Sequence, residues 1–103
     1  METTTMTGMW KNHVTYGDER PSPQTMIEND RVRVIIAGLK AGQRIPVHPE
    51  AAAVYHILEG EGTMTVDDQT FPIQQGKVVV MDEGAKRGML AETQLVFMAV
   101  RLA

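Results

Sequence analysis

The chain has no cysteine, which excludes disulfides, thiolate nucleophiles and cysteine-ligated zinc. Histidine is scarce: His13, His48 and His56 are the only ones, and residues 57–103 hold none. Aromatic residues make up 5 %, so Trp10, Tyr16 and Tyr55 read as single anchors in a core, an interface or a pocket wall. No run of Lys or Arg occurs and the formal net charge is −3, which argues against a nucleic-acid partner. The longest apolar runs, "VIIAGL" and "VVVM", are far too short to cross a membrane as a helix. The Thr-rich start "METTTMTGMW" lacks the apolar stretch of a signal peptide, so the default expectation is a cytoplasmic protein.

What remains has the composition of one soluble globular domain: 103 residues, 43 % hydrophobic and 22 % charged. A chain this small keeps much of its surface exposed, so pairing with a second copy is expected to help it. The eight methionines, among them Met64, Met81, Met89 and Met98, suit adaptable apolar packing better than any cofactor role.

Residues 1–24 hold few apolar residues, and Pro21 and Pro23 disfavour helix. They are expected to form an N-terminal arm, with 25–103 as a single barrel domain. Within the barrel, "RVRVIIAGL" alternates Val32, Val34 and Ile36 with Arg31, Arg33 and Ile35, a strand pattern. "RIPVHPE" is extended, with Pro46 tolerable only at an edge or bend. "TMTVDDQTFPI" reads as a hairpin turning at "DDQ". Seven or eight such runs, spaced by turn residues, predict an all-β sandwich or barrel. Ala51 to Ala53 is too short to nucleate a helix.

Two glycine-bounded stretches carry a family resemblance. "GQRIPVHPE" places Gly42, His48 and Glu50, and "YHILEGEGTMTV" brings Gly60; "GKVVVMDEGAKR" follows from Gly76. The spacing resembles the cupin family over about residues 30–100. This implies a double-stranded β-helix, or jelly-roll, barrel, and a homodimer paired through strands and the N-terminal arm. In the family the first motif supplies two histidines and a glutamate and the second supplies one more histidine. Here Glu50 stands for the second histidine, Ala53 for the glutamate, Asp82 for the second motif's proline and Arg87 for its histidine.

These departures leave a degenerate metal site. Ala53 cannot coordinate, and the permanent charge of Arg87 repels a metal ion. A divalent transition metal would have only His48, Glu50 and His56 as donors. Strand alternation places His56 on the face opposite Ala53, Tyr55 and Ile57, unless the bend at Ala51–Ala53 shifts the register. No cofactor is therefore favoured.

The first functional expectation is a small polar or anionic molecule held in the barrel by His48, Glu50, Tyr55 and Arg87. Arg44 lies in step with His48 and Glu50 and either joins them or pairs with Glu50. The blander use of Arg87 is to answer Asp82 or Glu83 at the surface, and that of His48 and Glu50 is a structural hydrogen bond. The alternatives are an enzyme or a homodimeric interaction module with an empty barrel. The enzyme is either a metal-dependent dioxygenase or isomerase with an unusual ligand set, or a metal-independent isomerase using His48. Imidazole is the side chain suited to proton transfer near neutral pH.

Overall fold

The computed structural model describes residues 7–102. Most of the Thr-rich start, and with it the expectation of a missing signal peptide, lies outside that range. A single 3₁₀ turn, Trp10–His13, precedes nine strands: β1 (Ser22–Glu28), β2 (Val32–Leu39), β3 (Arg44–Pro49), β4 (Ala53–Glu59), β5 (Glu61–Val66), β6 (Gln69–Gln74), β7 (Val78–Met81), β8 (Lys86–Ala91) and β9 (Leu95–Leu102). They form two antiparallel sheets, ordered β1-β2-β9-β4-β7 and β3-β8-β5-β6. This is the jelly-roll arrangement of a double-stranded β-helix. Nine strands among the described residues exceed the seven or eight predicted. β1 begins at Ser22, inside the segment read as arm, and its ladder with β2 runs from Ser22↔Gly38 to Glu28↔Arg33.

The core lies between the sheets and follows the period of two. In β7, Val79 and Met81 point inward while Val78 and Val80 point out. Leu39, Ile57, Met64, Ile73, Leu95 and Phe97 are all at most 1 % exposed, each such side chain contributing roughly 1.5–3 kcal/mol of transfer free energy. Met64, Met81 and Met89 fill the same core.

Turns end the strands where the sequence placed them. The β5–β6 hairpin closes through Asp67 and Asp68 between the paired Val66 and Gln69. Asp67 takes the left-handed conformation at φ 54, which Asp tolerates. It exchanges hydrogen bonds with the Lys86 backbone, its N–H donating at 2.7 Å and its carboxylate accepting at 3.0 Å. Gly60 has φ +86, and a Cβ there would lie 2.1 Å from the Gln94 carbonyl oxygen. Only glycine fits this crossing between sheets.

All the strand prolines sit on edges. Pro23 is in β1, Pro46 and Pro49 in β3 and Pro72 in β6, and each of those strands is the last of its sheet. A residue with no N–H is tolerated there because one side of the strand has no ladder to complete.

Candidate functional site

The site starts with a backbone irregularity. β3 pairs with β8 through Arg44↔Leu90 and Ile45↔Met89, then slips before His48↔Arg87. Pro46 stands at this bulge, as its missing N–H requires. Its freed carbonyl accepts a hydrogen bond from His48 Nδ1 at 2.8 Å. A carbonyl only accepts, so Nδ1 carries the hydrogen and, in the neutral ring, Nε2 carries the lone pair. Nε2 faces Glu50, 3.7 Å from Oε1. That is too long for the expected structural hydrogen bond between these two residues.

Glu50 follows the end of β3, and its carboxylate is held by Arg101 of β9. Arg101 Nη1 reaches Oε1 at 3.0 Å and sits closer still to Oε2. The partner of Glu50 is thus Arg101, where sequence spacing had offered Arg44. Arg101 lies directly opposite Ala53 in the β4–β9 ladder. Where a metal-binding cupin carries a glutamate, this chain has a methyl group with a guanidinium beside it.

These residues border a cavity of about 480 Å³ at the mouth of the barrel. β3 contributes Arg44, Ile45, Pro46 and His48, with Glu50 just beyond it; Ile35, Ala37, Tyr55 and Phe97 form the apolar floor. Arg20, Pro21 and Pro23 close one side, so part of the segment read as arm is a wall of the cavity. That segment is fixed by contact. The Tyr16 ring lies so close over Gly38 that a Cβ there would be 2.9 Å from it. Gln43 Nε2 donates to the Gly17 carbonyl at 2.8 Å, and Lys40 pairs with Asp18 at 2.6 Å. The ammonium of Lys40 holds the Asp18 carboxyl below its ordinary value.

Around the cavity the cations outnumber the anions: Arg20, Arg44 and Arg101 line it with the single carboxylate of Glu50. Tyr55 stacks on Phe97 with centroids 4.8 Å apart and planes at 23°. Burial pushes its phenol above the ordinary 10.0, an effect opposed by the Arg87 guanidinium next to it. The hydroxyl therefore stays protonated and can donate a hydrogen bond across the neutral range.

Of the residues selected from the sequence, His48, Glu50 and Tyr55 meet at the cavity, and Arg87 lies behind its wall. Arg87 is 1 % exposed. Its Nε donates to the Ala85 carbonyl at 3.2 Å and its Nη2 to those of Glu50 and Asp82 at 3.3 and 3.4 Å. It is therefore neither an open guanidinium at the mouth nor a surface partner of Asp82 or Glu83. Arg87 is a buried clamp that gathers three carbonyls, including that of Glu50.

His56 lies on the outer face. It pairs with Val78 and Met98, while Ala53, Tyr55 and Ile57 pack inward. The set His48, Glu50 and His56 is therefore not assembled, because adjacent strand positions point to opposite faces. Among the described residues no three His, Cys, Asp or Glu side chains converge to hold a metal ion. The donors do not fit a cupin metal centre, and Arg101 adds a fixed positive charge where a ligand would be needed.

Sequence reading missed Arg20 and Arg101. For Arg101 a signal existed: in "LVFMAVRL" the inward set Leu95, Phe97 and Ala99 continues, by alternation, to Arg101. Arg20 carries no such signal, since it lies in irregular chain.

Two antiparallel sheets wrapped as a double-stranded β-helix define the class. The Cupin domain family matches residues 34–101, and the chain belongs to that family. The fold is shared with solved structures. An uncharacterized conserved protein with a double-stranded β-helix domain from Klebsiella pneumoniae has a TM-score of 0.86 at 16 % identity, covering 96 % of this chain and 90 % of that one. An RmlC-like cupin protein from Desulfovibrio desulfuricans has a TM-score of 0.79 at 25 % identity, covering 99 % and 96 %. A conserved protein of unknown function from Streptococcus pyogenes has a TM-score of 0.83 at 20 % identity, covering 99 % and 90 %. Comparison with curated proteins gave no match. No helix among the described residues is long and apolar enough to cross a membrane.

Proposed function

We propose that this cupin holds a small anionic molecule in the barrel mouth without the help of a metal ion. The observation that carries the reading is the charge of the cavity, three arginines against one carboxylate above an apolar floor. Guanidinium groups bind carboxylate and phosphate through paired N–H donors, and partial burial strengthens such bonds. His48, Glu50 and Tyr55 line the cavity, and Arg87 holds the backbone of Glu50 from behind. Thermal unfolding in the presence of carboxylates and phosphates tests it. A bound anion at one hundred times its Kd stabilises by about 2.7 kcal/mol, and Arg44→Ala should reduce that gain. If no anion raises the melting temperature, the reading fails.

A second reading, a metal-independent isomerase, is favoured by the hydrogen bond from His48 Nδ1 to Pro46. It fixes the tautomer so that Nε2 is free to take a proton, with Glu50 placed beside the cation that forms. A bound carboxylate should then exchange its α-hydrogen in deuterated water, and His48→Ala should stop the exchange. A saturated wild-type protein that leaves the ligand unlabelled would exclude this role.

The partner surface we assign to a second copy of the chain. Ile27, Val34, Val100, Val54 and Val80 form one unbroken row across all five strands of the larger sheet. Ile27, Val54 and Val80 are 53 %, 40 % and 75 % exposed. A sheet face of about 500 Å² on each copy brings the pair to about 1,000 Å², the lower bound for a specific interface.

A further inference from the structure

We infer that the anion is a monocarboxylate with an apolar body, seated with its carboxylate between Arg33 and Arg101. This rests on the anion-binding reading above and adds the orientation and class of the ligand.

Arg33 and Arg101 are direct partners in the β2–β9 ladder. Like charges placed opposite one another on a sheet repel; Glu28 beside Arg33 and Glu50 beside Arg101 offset this in part, and an anion between the two arginines would offset it further. With Ile35, Tyr55 and Ala99 the two arginines line a notch of about 30 Å³. That is space for one or two water-sized groups, which admits the planar oxygens of a carboxylate and is tight for a tetrahedral phosphoryl group. Ile35, Tyr55 and Arg101 also line the larger cavity, so the notch adjoins it.

Both arginines keep donors in reserve. Arg33 Nε is buried with no hydrogen-bond partner among the described residues. It lies 3.4 Å from Glu28 Oε2 in an ion pair whose geometry makes no hydrogen bond, and Nη2 makes only a long bond of 3.4 Å to Thr25. Arg101 uses Nη1 for Glu50, and its Nε and Nη2 have no partner among the described residues. Beyond the notch, the stacked Tyr55 and Phe97 with Ala37 and Ile45 offer an apolar surface. An apolar body seated on this surface adds binding that a bare carboxylate lacks.

Calorimetric titration with phenylacetate, phenylacetamide, acetate and inorganic phosphate tests the assignment. Phenylacetate should bind, and phenylacetamide, of the same shape without the charge, should bind at least about tenfold more weakly, as loss of a hydrogen bond to a charged group implies. Acetate should also be weaker, because it lacks the body. Arg33→Met should weaken phenylacetate by about tenfold or more, while Glu28→Gln, which removes the competing anion, should leave affinity equal or raise it. Circular dichroism of Arg33→Met checks its fold, and Arg33→Lys should recover part of the affinity if charge is what matters. Equal binding of acid and amide, or an Arg33→Met protein with intact affinity, overturns the assignment. Phosphate binding without phenylacetate binding overturns it too, yet leaves the anion-binding reading standing. No binding of any anion removes both.

Discussion

Arg101 holds the carboxylate of Glu50 across 51 residues of sequence, one nitrogen reaching both oxygens at the mouth of the barrel. The pair joins β9 of the larger sheet to the end of β3 in the smaller one. It therefore ties the two layers together at the open end. Arg101→Met should leave Glu50 partly buried without a partner and destabilise the fold by about 1–3 kcal/mol. Adding Glu50→Gln should recover part of the loss. Urea unfolding of the two single variants and the double variant measures the coupling; strict additivity would show that the pair contributes nothing.

Arg87 should be less forgiving. Three backbone carbonyls converge on a guanidinium that is 1 % exposed, so Arg87→Met removes the side-chain donor from all three and leaves those of Glu50 and Asp82 with only the Gly84 and Ala85 N–H groups. The expected loss is about 2–4 kcal/mol. Arg87→Lys should recover little, because an ammonium cannot reproduce the planar fork. Chemical denaturation compares them, and a lysine variant as stable as wild type would contradict this account of the clamp.

Gly60 and Gly76 separate conformational strain from steric exclusion. Both have positive φ, +86 and +92, but a Cβ at Gly76 meets nothing within 4 Å. Gly76→Ala should cost about 1 kcal/mol, the ordinary strain of a left-handed alanine. Gly60→Ala adds the collision with Gln94 and should cost clearly more, at least about 2 kcal/mol. Equal melting temperatures for the two variants would show that the crossing at Gly60 yields.

Stability should fall at high pH through the tyrosines. Burial raises the pKa of Tyr55, and burial with the charge of Glu59 raises that of Tyr16. A folded pKa above the unfolded one means that the folded state keeps its proton longer. That stabilisation is complete below the unfolded value near 10 and is lost as pH rises through the folded value. Tyr55→Phe should therefore flatten the alkaline decline in the urea midpoint. An unchanged slope would place the decline on other groups.

The outer face of the larger sheet gives the fifth test. Val80→Lys puts a charge at the β7 end of the proposed contact, at a position 75 % exposed in the single chain. Sedimentation should show a dimer for wild type and a monomer for the variant, with little change in the variant's circular dichroism. A wild-type monomer at all concentrations would remove the interface.

The barrel was legible because its signals are local. A left-handed turn at Gly60 or Gly76 is demanded by its own few residues, and alternation favoured His56 outside, with a register shift at Ala51–Ala53 left open. The hairpin at Asp67 and Asp68 is equally self-contained. The site was legible only in part, because it is assembled by the order of strands. Nothing near Arg101 announces Glu50; they meet because β9 lies beside β4 and brings Arg101 opposite Ala53. Arg87 misled for a related reason. A basic residue following "DEGAK" reads as solvated, and its burial appears only when the Glu50 carbonyl from a distant segment joins those of Asp82 and Ala85 around it.

The proline pattern of the edges bears on how the protein survives at high concentration. A jelly roll ends each sheet in strands whose free backbone groups can recruit another chain and grow without limit. Here three of the four terminal strands carry proline, and the fourth, β7, is only four residues long. Lateral growth is thus blocked at the edges while the valine-rich face stays available. Self-association is steered away from open-ended fibres, and a closed pair such as the one proposed above is compatible with these edges.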